Sequence, residues 1–399
     1  MSATKQREEA LQLLYPQMVE WRRHLHRHPE VSYREKETAA YIAAILRDLG
    51  CDVQTDLGGH GLIATIDGSG DGPTVALRAD IDALAIQDQK QVDYASQVPG
   101  VMHACGHDAH TATMLGIASY YMRHRDSLAG RRRLLFQASE EISPGGALPL
   151  IEHGALEDVD AVYGVHLWTP LAYGQVASRE GALMAAADEF TIEIIGKGGH
   201  GGLPHDTIDA IVVGSALVTA LQTIVSRQVN PLQPAVVTIG TFQAGSANNV
   251  IAGHALLKGT VRTFDSHTRE DIRERIEQMV ERICGLYGAG SRLDYRMGYP
   301  PVVNDAEEVR RFFRVGAEVL GSDATLQASM VMAAEDFSYY LHHKPGCFMF
   351  VGAGNEELGA RYAHHHPMFD LDERSMLISA RLMTAMAEDY AAERRPQLG

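Results

Sequence analysis

The sequence predicts an α/β protein in two parts: a mixed, mainly parallel sheet flanked by helices, and a smaller α+β domain inserted into it. The chain has 399 residues, which is long for a single hydrophobic core. Strand-like and helix-like runs alternate over residues 1–187, which favours a parallel sheet. Over residues 188–298 the order becomes β-α-β-β-α-β, the ferredoxin-like arrangement. We therefore expect residues 299–399 to complete the first domain.

The individual elements follow from apolar spacing and from the turn residues that bound each run. In the first part of the chain we predict helices over 8–26, 38–49 and 110–124, and strands over 61–67, 74–80, 132–139 and 159–168. In the inserted domain we predict strands over 189–196, 235–245, 255–265 and 291–297, and helices over 207–227 and 268–287. The last part should contain a helix over 309–320, a strand over 347–354 and a closing helix over 373–392.

Composition and charge argue against two classes of partner. The formal net charge of −16 opposes nucleic acid, because affinity for phosphates depends on Lys and Arg. The longest apolar stretch, Ala210–Leu221, is short of a membrane span, and the N-terminal segment lacks the apolar run of a signal peptide. The four cysteines are widely separated and form no CxxC pair: Cys51, Cys105, Cys284 and Cys347. We expect no nucleic-acid or membrane partner, and a cytoplasmic protein with reduced thiols.

Polar residues collect where the predicted strands end. Asp80 ends one strand, the pair Glu140 and Glu141 follows another, and His166 lies near the end of a third. In open α/β sheets, ligands bind in a crevice at the carboxyl ends of the strands. Three separate strands therefore direct titratable side chains toward one crevice. The alternative for His166 is a buried core histidine, which is the more common role of a lone histidine in an apolar strand.

The segment VMHACGHDAH indicates a metal site. Cys105 and His107 are two residues apart with a glycine between them, so a thiolate and an imidazole can reach one metal ion or two adjacent ones. The alternative is a buried thiol beside a histidine that caps a helix. The crowding of His103, Asp108 and His110 around the pair favours metal, and Asp108 could orient a ligating histidine.

Two further segments could complete such a site. The adjacent Glu140 and Glu141 must point in different directions, so one can bind metal while the other faces a water molecule. The assignment of Glu141 as ligand and Glu140 as general base fits this arrangement, and the alternative is a solvated acidic turn. The segment AHHHPMF offers one ligand among three consecutive histidines, and spacing alone does not choose among His364, His365 and His366.

These segments together resemble the M20 metallopeptidase family, in particular its amidohydrolase branch. That branch includes hippurate hydrolases, N-acyl-amino-acid amidohydrolases and indole-acetyl-amino-acid hydrolases. The segments that carry the resemblance run nearly from end to end of the chain: WRRHLHRHPEVSYREKETAAYI, LRADIDALAI, MHACGHDAHTATMLG, FQASEEISPGGA, YGVHLW, GKGGHGGLPH, ANNVIAGHALLKGTVRTFD, AAEDFSYYL and HHHPMFDLDE. The sequence departs from the family pattern at Ala85 and Ala252, where proline is usual, which affects loop geometry and removes no reactive group.

The resemblance implies a site for two divalent metal ions, with zinc or manganese expected and cobalt or nickel as alternatives. Cys105 would bridge the two ions. His107 and His166 would hold one ion, and Glu141 and His365 the other, since the family pattern H-x-P selects His365.

The resemblance also implies roles for residues around the metals. Glu140 would be the base that activates the water shared by the metals, and Asp80 would orient the site from behind. In the inserted domain, which would serve as a lid and a dimerisation domain, His200 would reach the substrate carbonyl across a dimer interface. Asn249 and Arg262 would bind the substrate carboxylate, although Arg262 could instead form a surface ion pair.

The expected function is therefore metal-dependent hydrolysis of the amide bond of a small N-acyl-amino acid, of hippurate, acetyl or aliphatic acyl type. A dipeptidase or aminopeptidase on the same fold is the nearest alternative, and a non-catalytic binding module is a more distant one. By the same resemblance we expect a homodimer or a tetramer built from dimers.

Overall fold

The computed structural model describes residues 3–394, which form two compact units. Unit 1 contains the chain up to Gly181, Val303–Ser329 and the chain from Asp336 onward. Unit 2 contains Ala182–Val302 and the short segment Met330–Glu335. The inserted part thus begins earlier and ends later than the predicted 188–298, because short strands at both ends extend it, and it gains a segment from the last part of the chain.

The secondary structure alternates along the chain. The helices are α1 Ala3–Arg27, α2 Lys36–Asp48, α3 His107–Arg123, α4 Ala147–Glu152, α5 Ala210–Thr223, α6 Ser266–Leu286, α7 Ala306–Leu320, α8 Ser338–His343 and α9 Ser375–Glu393. The strands are β1 Asp52–Leu57, β2 Gly61–Asp67, β3 Gly70–Asp80, β4 Ala129–Gln137, β5 Ala161–Ala172, β6 Val176–Ser178, β7 Gly181–Met184, β8 Ala186–Ile195, β9 Gly199–His200, β10 Ala235–Ala244, β11 Val250–Ile251, β12 His254–Thr263, β13 Gly290–Met297, β14 Val302–Asn304, β15 Thr325–Gln327 and β16 Gly346–Gly354.

Unit 1 is built on an eight-stranded sheet with the order β1-β2-β4-β3-β5-β16-β6-β15. The four central strands β4, β3, β5 and β16 run parallel, whereas β1 and β2 at one edge pair antiparallel. The central strands are almost wholly buried, and α3 and α9 pack against β3 and β5. The mixed, mainly parallel sheet predicted from the sequence is confirmed, and its central strands end at one edge.

Unit 2 contains a four-stranded antiparallel sheet with the order β10-β12-β8-β13. Along the chain its elements follow the predicted β-α-β-β-α-β order, with α5 and α6 packed against the sheet. Alternate residues of β8, namely Phe190, Ile192 and Ile194, are buried under these helices. The ferredoxin-like arrangement of the inserted part follows from this alternation.

Helix α5 continues through a π turn over Ile224–Gln228, so the helical stretch is longer than the apolar run seen in the sequence. By length and composition alone, Ala210–Gln228 could cross a membrane, with a mean hydropathy of 1.5 and 33% of the stretch buried. Its buried face, including Val213, Leu217 and Leu221, packs in the core of unit 2. This packing accounts for the buried third of the stretch, whereas Ile211 and Val212 on the same helix are exposed.

The start of α3 differs from the sequence prediction in a way that affects the site. The helix begins at His107 rather than at residue 110. Gly106 precedes it with φ of 91°, a left-handed conformation that residues with a Cβ rarely adopt. Cys105 therefore lies on a sharp turn, and His107 is the first residue of the helix.

A buried arginine fixes the same helix to α1 and to the loop before α9. Arg22 is 0% exposed and donates to Oδ2 of Asp108 at 2.9 Å, to Oδ1 of Asp370 at 2.8 Å and to Oε1 of Glu373 at 3.1 Å. Asp108 Oδ2 also lies 2.8 Å from Nδ1 of His26. Since a guanidinium stays charged when buried, these carboxylates and Arg22 depend on each other.

Replacing Arg22 by methionine should destabilise the protein strongly, because the variant leaves a cluster of buried carboxylates without their cation. We expect the free energy of unfolding to fall by about 3–5 kcal/mol, as measured by urea unfolding followed by circular dichroism. Arg23 is the matched control, since it also binds Glu373 but its side chain is 35% exposed. Arg23→Met should cost about 0–1 kcal/mol, and equal losses in the two variants would contradict a special role for Arg22.

Candidate metal centre

The site lies in unit 1 at the edge where the central strands end. Strand β3 ends at Asp80, β5 carries His166, and Glu140 and Glu141 follow β4. The turn before α3 brings in Cys105, and His365 approaches it because its backbone N–H donates to the carbonyl oxygen of Ala104 at 2.8 Å. His365 has φ of 67°, so this contact holds it in the left-handed region.

Cys105 lies between two groups of possible metal ligands. Its Sγ is 3.4 Å from Nε2 of His166. Ligand atoms of Cys105, His107 and His166 lie within 4.8 Å of one another, and so do those of Cys105, Glu141 and His365. One sulphur thus belongs to both groups, as a bridging thiolate would. His107 also forms a group with Glu140 and Glu141, so the ligand groups are adjacent.

Hydrogen bonds fix the ring orientation of both buried histidines. Nδ1 of His107 is 2.9 Å from the carbonyl oxygen of Asp82, and Nδ1 of His166 is 3.0 Å from that of Leu167. A carbonyl oxygen only accepts, so each Nδ1 carries a proton, and Nε2 is the ring nitrogen left to bind a metal ion. Ligating histidines have this tautomer when Nε2 binds the metal.

The two glutamates lie next to these nitrogens. Oε2 of Glu141 is 3.3 Å from Nε2 of His365, and Oε1 of Glu141 is 3.8 Å from Nε2 of His107. Oε2 of the buried Glu140 is 4.0 Å from the same nitrogen of His107. The adjacent carboxylates thus face one small volume.

The donor atoms fit divalent cations. Nε2 of His107 and Oε1 of Glu141 are buried and have no hydrogen-bond partner within residues 3–394. Burial raises the pKa of the Cys105 thiol well above its usual range, and the carboxylates of Glu141 and Glu140 raise it further. Burial alone would lower the pKa of His107, but Asp80 and Asp82 outweigh it and raise that pKa to about 10. Nearby carboxylates raise both pKa values, and divalent cations bound here would offset that negative charge.

Asp80 lies beside the ligand group and contacts His110 and Arg78. Its Oδ1 is 2.6 Å from Nδ1 of His110, and its Oδ2 accepts from Nη1 of Arg78 at 2.7 Å. That Oδ2 lies 3.6 Å from Nε2 of His107, the nitrogen on the ligand side of the ring. The other nitrogen of His107 is held by Asp82, whose Oδ1 is 3.2 Å from Nδ1. The residue that orients the ligand His107 from behind is therefore Asp82.

The remaining histidines of the two histidine-rich segments have other partners. Nε2 of His110 accepts from the backbone N–H of Leu167 at 2.9 Å, so both of its ring nitrogens are occupied. Nε2 of His364 lies 3.0 Å from the carbonyl oxygen of Leu167, and Nδ1 of His366 accepts from the backbone N–H of Met368 at 3.0 Å. Of the three consecutive histidines, His365 is thus the one in the ligand group.

Asp108 and His103 lie away from the ligands. Asp108 was considered as a partner for a ligating histidine, but it binds Arg22 and His26 instead. Because α3 begins at His107, the next residue points about 100° away around the helix. His103 is 2% exposed, and burial lowers its pKa to about 3, as in a core histidine.

Asp82 was not predicted from the sequence, and His110 was predicted near the metal site without its contact to Asp80. The signal for Asp82 was present in the segment RADID, because acids two residues apart at a strand end lie on the same face. The signal for His110 was its spacing, since residues three apart on a helix are neighbours.

The predicted residues of unit 2 fall into two places. His200 and Asn249 are exposed and lie side by side, because His200 pairs with Val250 across β9 and β11. Arg262 lies half-buried on β12 and donates to Thr260 Oγ1 and to the carbonyl oxygen of Val261 at 3.2 Å. It forms no ion pair with any carboxylate in residues 3–394, and burial lowers its pKa. The surface ion pair considered as its alternative role is therefore absent from this part of the chain.

Three known proteins are similar to this chain over more than nine tenths of its length. Putative amidohydrolase YhaA of Bacillus subtilis is 47% identical over 390 residues, which cover 97% of this chain and 98% of that protein. An N-acetyl-L-cysteine deacetylase of the same organism is 43% identical over 370 residues, covering 92% of this chain and 86% of that protein. The crystal structure of Bacillus subtilis YxeP, described as a dinuclear metal binding peptidase from the M20 family, superposes with a TM-score of 0.82 at 34% identity. That match covers 96% of this chain and 99% of the other.

The family model for the peptidase family M20/M25/M40 matches residues 76–389, a range that contains every candidate ligand named above. Since this match spans most of the chain, and relatives above 30% identity cover nearly all of it, the family suggested by the sequence motifs is confirmed. The chain belongs to the peptidase family M20/M25/M40.

Proposed function

We propose that this protein is a metal-dependent amidohydrolase that cleaves the amide bond of small N-acyl-amino acids to give a carboxylate and a free amino acid. The observation that carries the proposal is the position of Cys105 in two ligand groups, with Glu140 beside them. A relative named for deacetylation of an N-acetyl amino acid, and another named as a putative amidohydrolase, support the substrate class.

The ligand groups would hold two divalent cations, with Cys105 common to both. Bound there, such ions supply Lewis acidity toward an amide oxygen and lower the pKa of water. Zinc and manganese are the proposed ions, and cobalt or nickel are alternatives, since thiolate, imidazole and carboxylate ligands together suit several metals.

Glu140 performs the proton transfers. Its carboxylate takes a proton from the attacking water, whose oxygen forms the new bond to the amide carbon. Glu140 then gives the proton to the amide nitrogen, and the carbon–nitrogen bond breaks to release the amine. Asp82 keeps the proton of His107 on Nδ1, and the carbonyl oxygen of Leu167 does the same for His166. The protein thus fixes the direction of every donor before substrate arrives.

Residues of unit 2 bind the substrate in this proposal. Arg262 carries a positive charge that no carboxylate of residues 3–394 pairs with, so it is suited to the carboxylate of the amino-acid part. Asn249 supplies amide hydrogen bonds beside His200, which would donate to the carbonyl oxygen of the bond being cleaved.

Activity should depend on bound metal. Purified protein should contain about two equivalents of divalent metal per chain, measured by mass spectrometry of the elements. It should release free amino acid from acetyl-, aliphatic-acyl- and benzoyl-amino acids, and chelation should abolish that release until metal is restored. Rapid hydrolysis of free dipeptides with none of the acyl-amino acids would instead identify a dipeptidase. Metal-free protein with full activity would contradict the proposal.

The adjacent glutamates should have separable roles. Glu140→Gln should keep its metal and lose kcat by about 10²–10⁴-fold, because the amide cannot carry the proton. Glu141→Gln should lose metal content together with activity, because an amide is a weaker ligand than a carboxylate. Metal analysis and steady-state kinetics on both isosteric variants check this. An active Glu140→Gln enzyme would exclude Glu140 as the base.

A homodimer, alone or within a tetramer, is the proposed assembly, formed through unit 2. Strand β10 is an edge of the four-stranded sheet, and Phe242 on it is 39% exposed. The Phe242 ring packs on α5, since a Cβ at Gly214 would lie 2.5 Å from its Cζ. Ile211 and Val212 on the same helix are 42% and 49% exposed. An apolar patch beside an open sheet edge suits a second copy of the same surface.

A charge in that patch should separate the subunits. Wild-type protein should sediment as a dimer or tetramer, and Val212→Glu should sediment as a smaller species with unchanged helix content. Leu13→Glu is the control, since Leu13 is 78% exposed on α1 in unit 1. A monomeric wild-type protein, or a Val212→Glu variant that keeps the full assembly, would contradict the dimer. If the wild-type protein binds lipid vesicles and Val212→Glu does not, the apolar patch binds a membrane surface rather than a second copy of the chain.

The cytoplasmic location stays a prediction from the sequence, as does the absence of a nucleic-acid partner. The acidic net charge of −16 supports the absence of a nucleic-acid partner. Fractionation of the source cells would test the cytoplasmic location.

A further inference from the structure

A cavity of about 320 Å³ opens in unit 1 away from the metal ligands. Its walls come from the first turns of α1, the last turns of α3 and α9, and the start of β4. Because α3 begins at His107 and ends at Arg123, its 17 residues place the cavity about 25 Å from the metal-ligand end of the helix. The cavity is thus separate from the candidate metal centre.

A buried arginine without a carboxylate partner lines this cavity. Arg132 is 1% exposed, and its Nη1 donates to the carbonyl oxygens of Ala129 at 3.3 Å and Arg131 at 3.1 Å. Its Nε is buried with no hydrogen-bond partner, and it forms no ion pair with any carboxylate in residues 3–394. The guanidinium carbon lies 5.3 Å from the centre of the Tyr121 ring, a cation–π contact that leaves Nε without a hydrogen-bond acceptor.

A second arginine meets the same cavity with an unused donor. Arg7 is 8% exposed, and its Nη1 donates to Oε2 of Glu388 at 2.7 Å, while its Nε has no partner in residues 3–394. Oε1 of Glu388 accepts from the hydroxyl of Tyr120 at 3.0 Å. The lining therefore holds two guanidinium groups and one carboxylate, which leaves a net positive charge of about one.

We propose that this cavity binds a small organic carboxylate. The Arg132 guanidinium would receive the carboxylate, because its planar set of N–H donors matches carboxylate geometry. The single excess charge suits a monoanion better than a phosphate, whose second charge would face Glu388. The rings of Tyr120 and Tyr121, with Leu128 and Ala391, offer an apolar wall to the rest of the molecule. A bound carboxylate would balance a buried cation that is otherwise costly.

Isothermal titration of the full-length, metal-loaded protein with benzoate tests the proposal, with acetate and inorganic phosphate as comparison ligands. Arg132→Gln should weaken benzoate binding by about tenfold or more, as expected for the loss of a charge-assisted pair. Arg131→Gln is the matched control, because Arg131 immediately precedes Arg132 on β4, binds Asp67 and has a side chain that is 37% exposed. The affinity of the Arg131→Gln variant for benzoate should equal that of the wild type.

A second variant guards against loss of folding in Arg132→Gln. Ala392→Trp places a large ring in the lining at an exposed position, so it should block benzoate while leaving thermal unfolding and amide hydrolysis unchanged. Binding that is lost in this variant and kept in Arg131→Gln supports the site. Because benzoate is also a product of the proposed hydrolysis and can bind at the metal centre, the number of benzoate molecules bound per chain is compared between variants. A number that is unchanged in Ala392→Trp, the absence of benzoate binding, or phosphate binding in preference to benzoate would each overturn the proposal.

Discussion

The compensation of buried negative charge around Cys105 is the constraint on which the rest of the site depends. Four carboxylates surround the thiol and the histidines, and each is buried or nearly so: Asp80, Asp82, Glu140 and Glu141. Asp80 is balanced by Arg78 and His110, and Asp82 by His107 and Ser32. Glu140, Glu141 and the sulphur face a common volume, where two divalent cations would add positive charge beside these carboxylates and the thiol.

The scaffold that holds these groups is itself a set of buried ion pairs and strand ends. Asp336 accepts from Nη2 of Arg78 at 2.9 Å and from the backbone N–H groups of Gly146 and Ala147, so one carboxylate joins β3 to the loop that follows Glu141. Arg22 likewise joins α1, on which it lies, to the start of α3 and to the loop before α9. Because each pair spans distant parts of the chain, loss of one partner should disturb ligand geometry as well as stability.

Much of the fold and of the site could be predicted from the sequence, since both depend on local patterns. Apolar alternation located β2 at its true bounds, and helical spacing located α6 and α7 within a few residues. Short strands such as β6 and β15 have three residues each, too few to show a period. The start of α3 was placed late, because the left-handed conformation of Gly106 belongs to the turn and not to the apolar pattern. Asp82 was passed over because Asp80, two residues earlier, occupied the same strand end.

By itself, the sequence determined the donor types, their order along the chain and the family, because motifs such as ACGH and SEEISPGG specify chemistry through adjacent residues. Only the tertiary structure decided which aspartate orients His107 and that Asp108 pairs with Arg22. It also revealed Arg132 as a buried cation, whereas Arg131 beside it pairs with Asp67 at the surface. The reason is physical: ring tautomers, ion pairs and burial arise between residues far apart in sequence, and no local pattern encodes them.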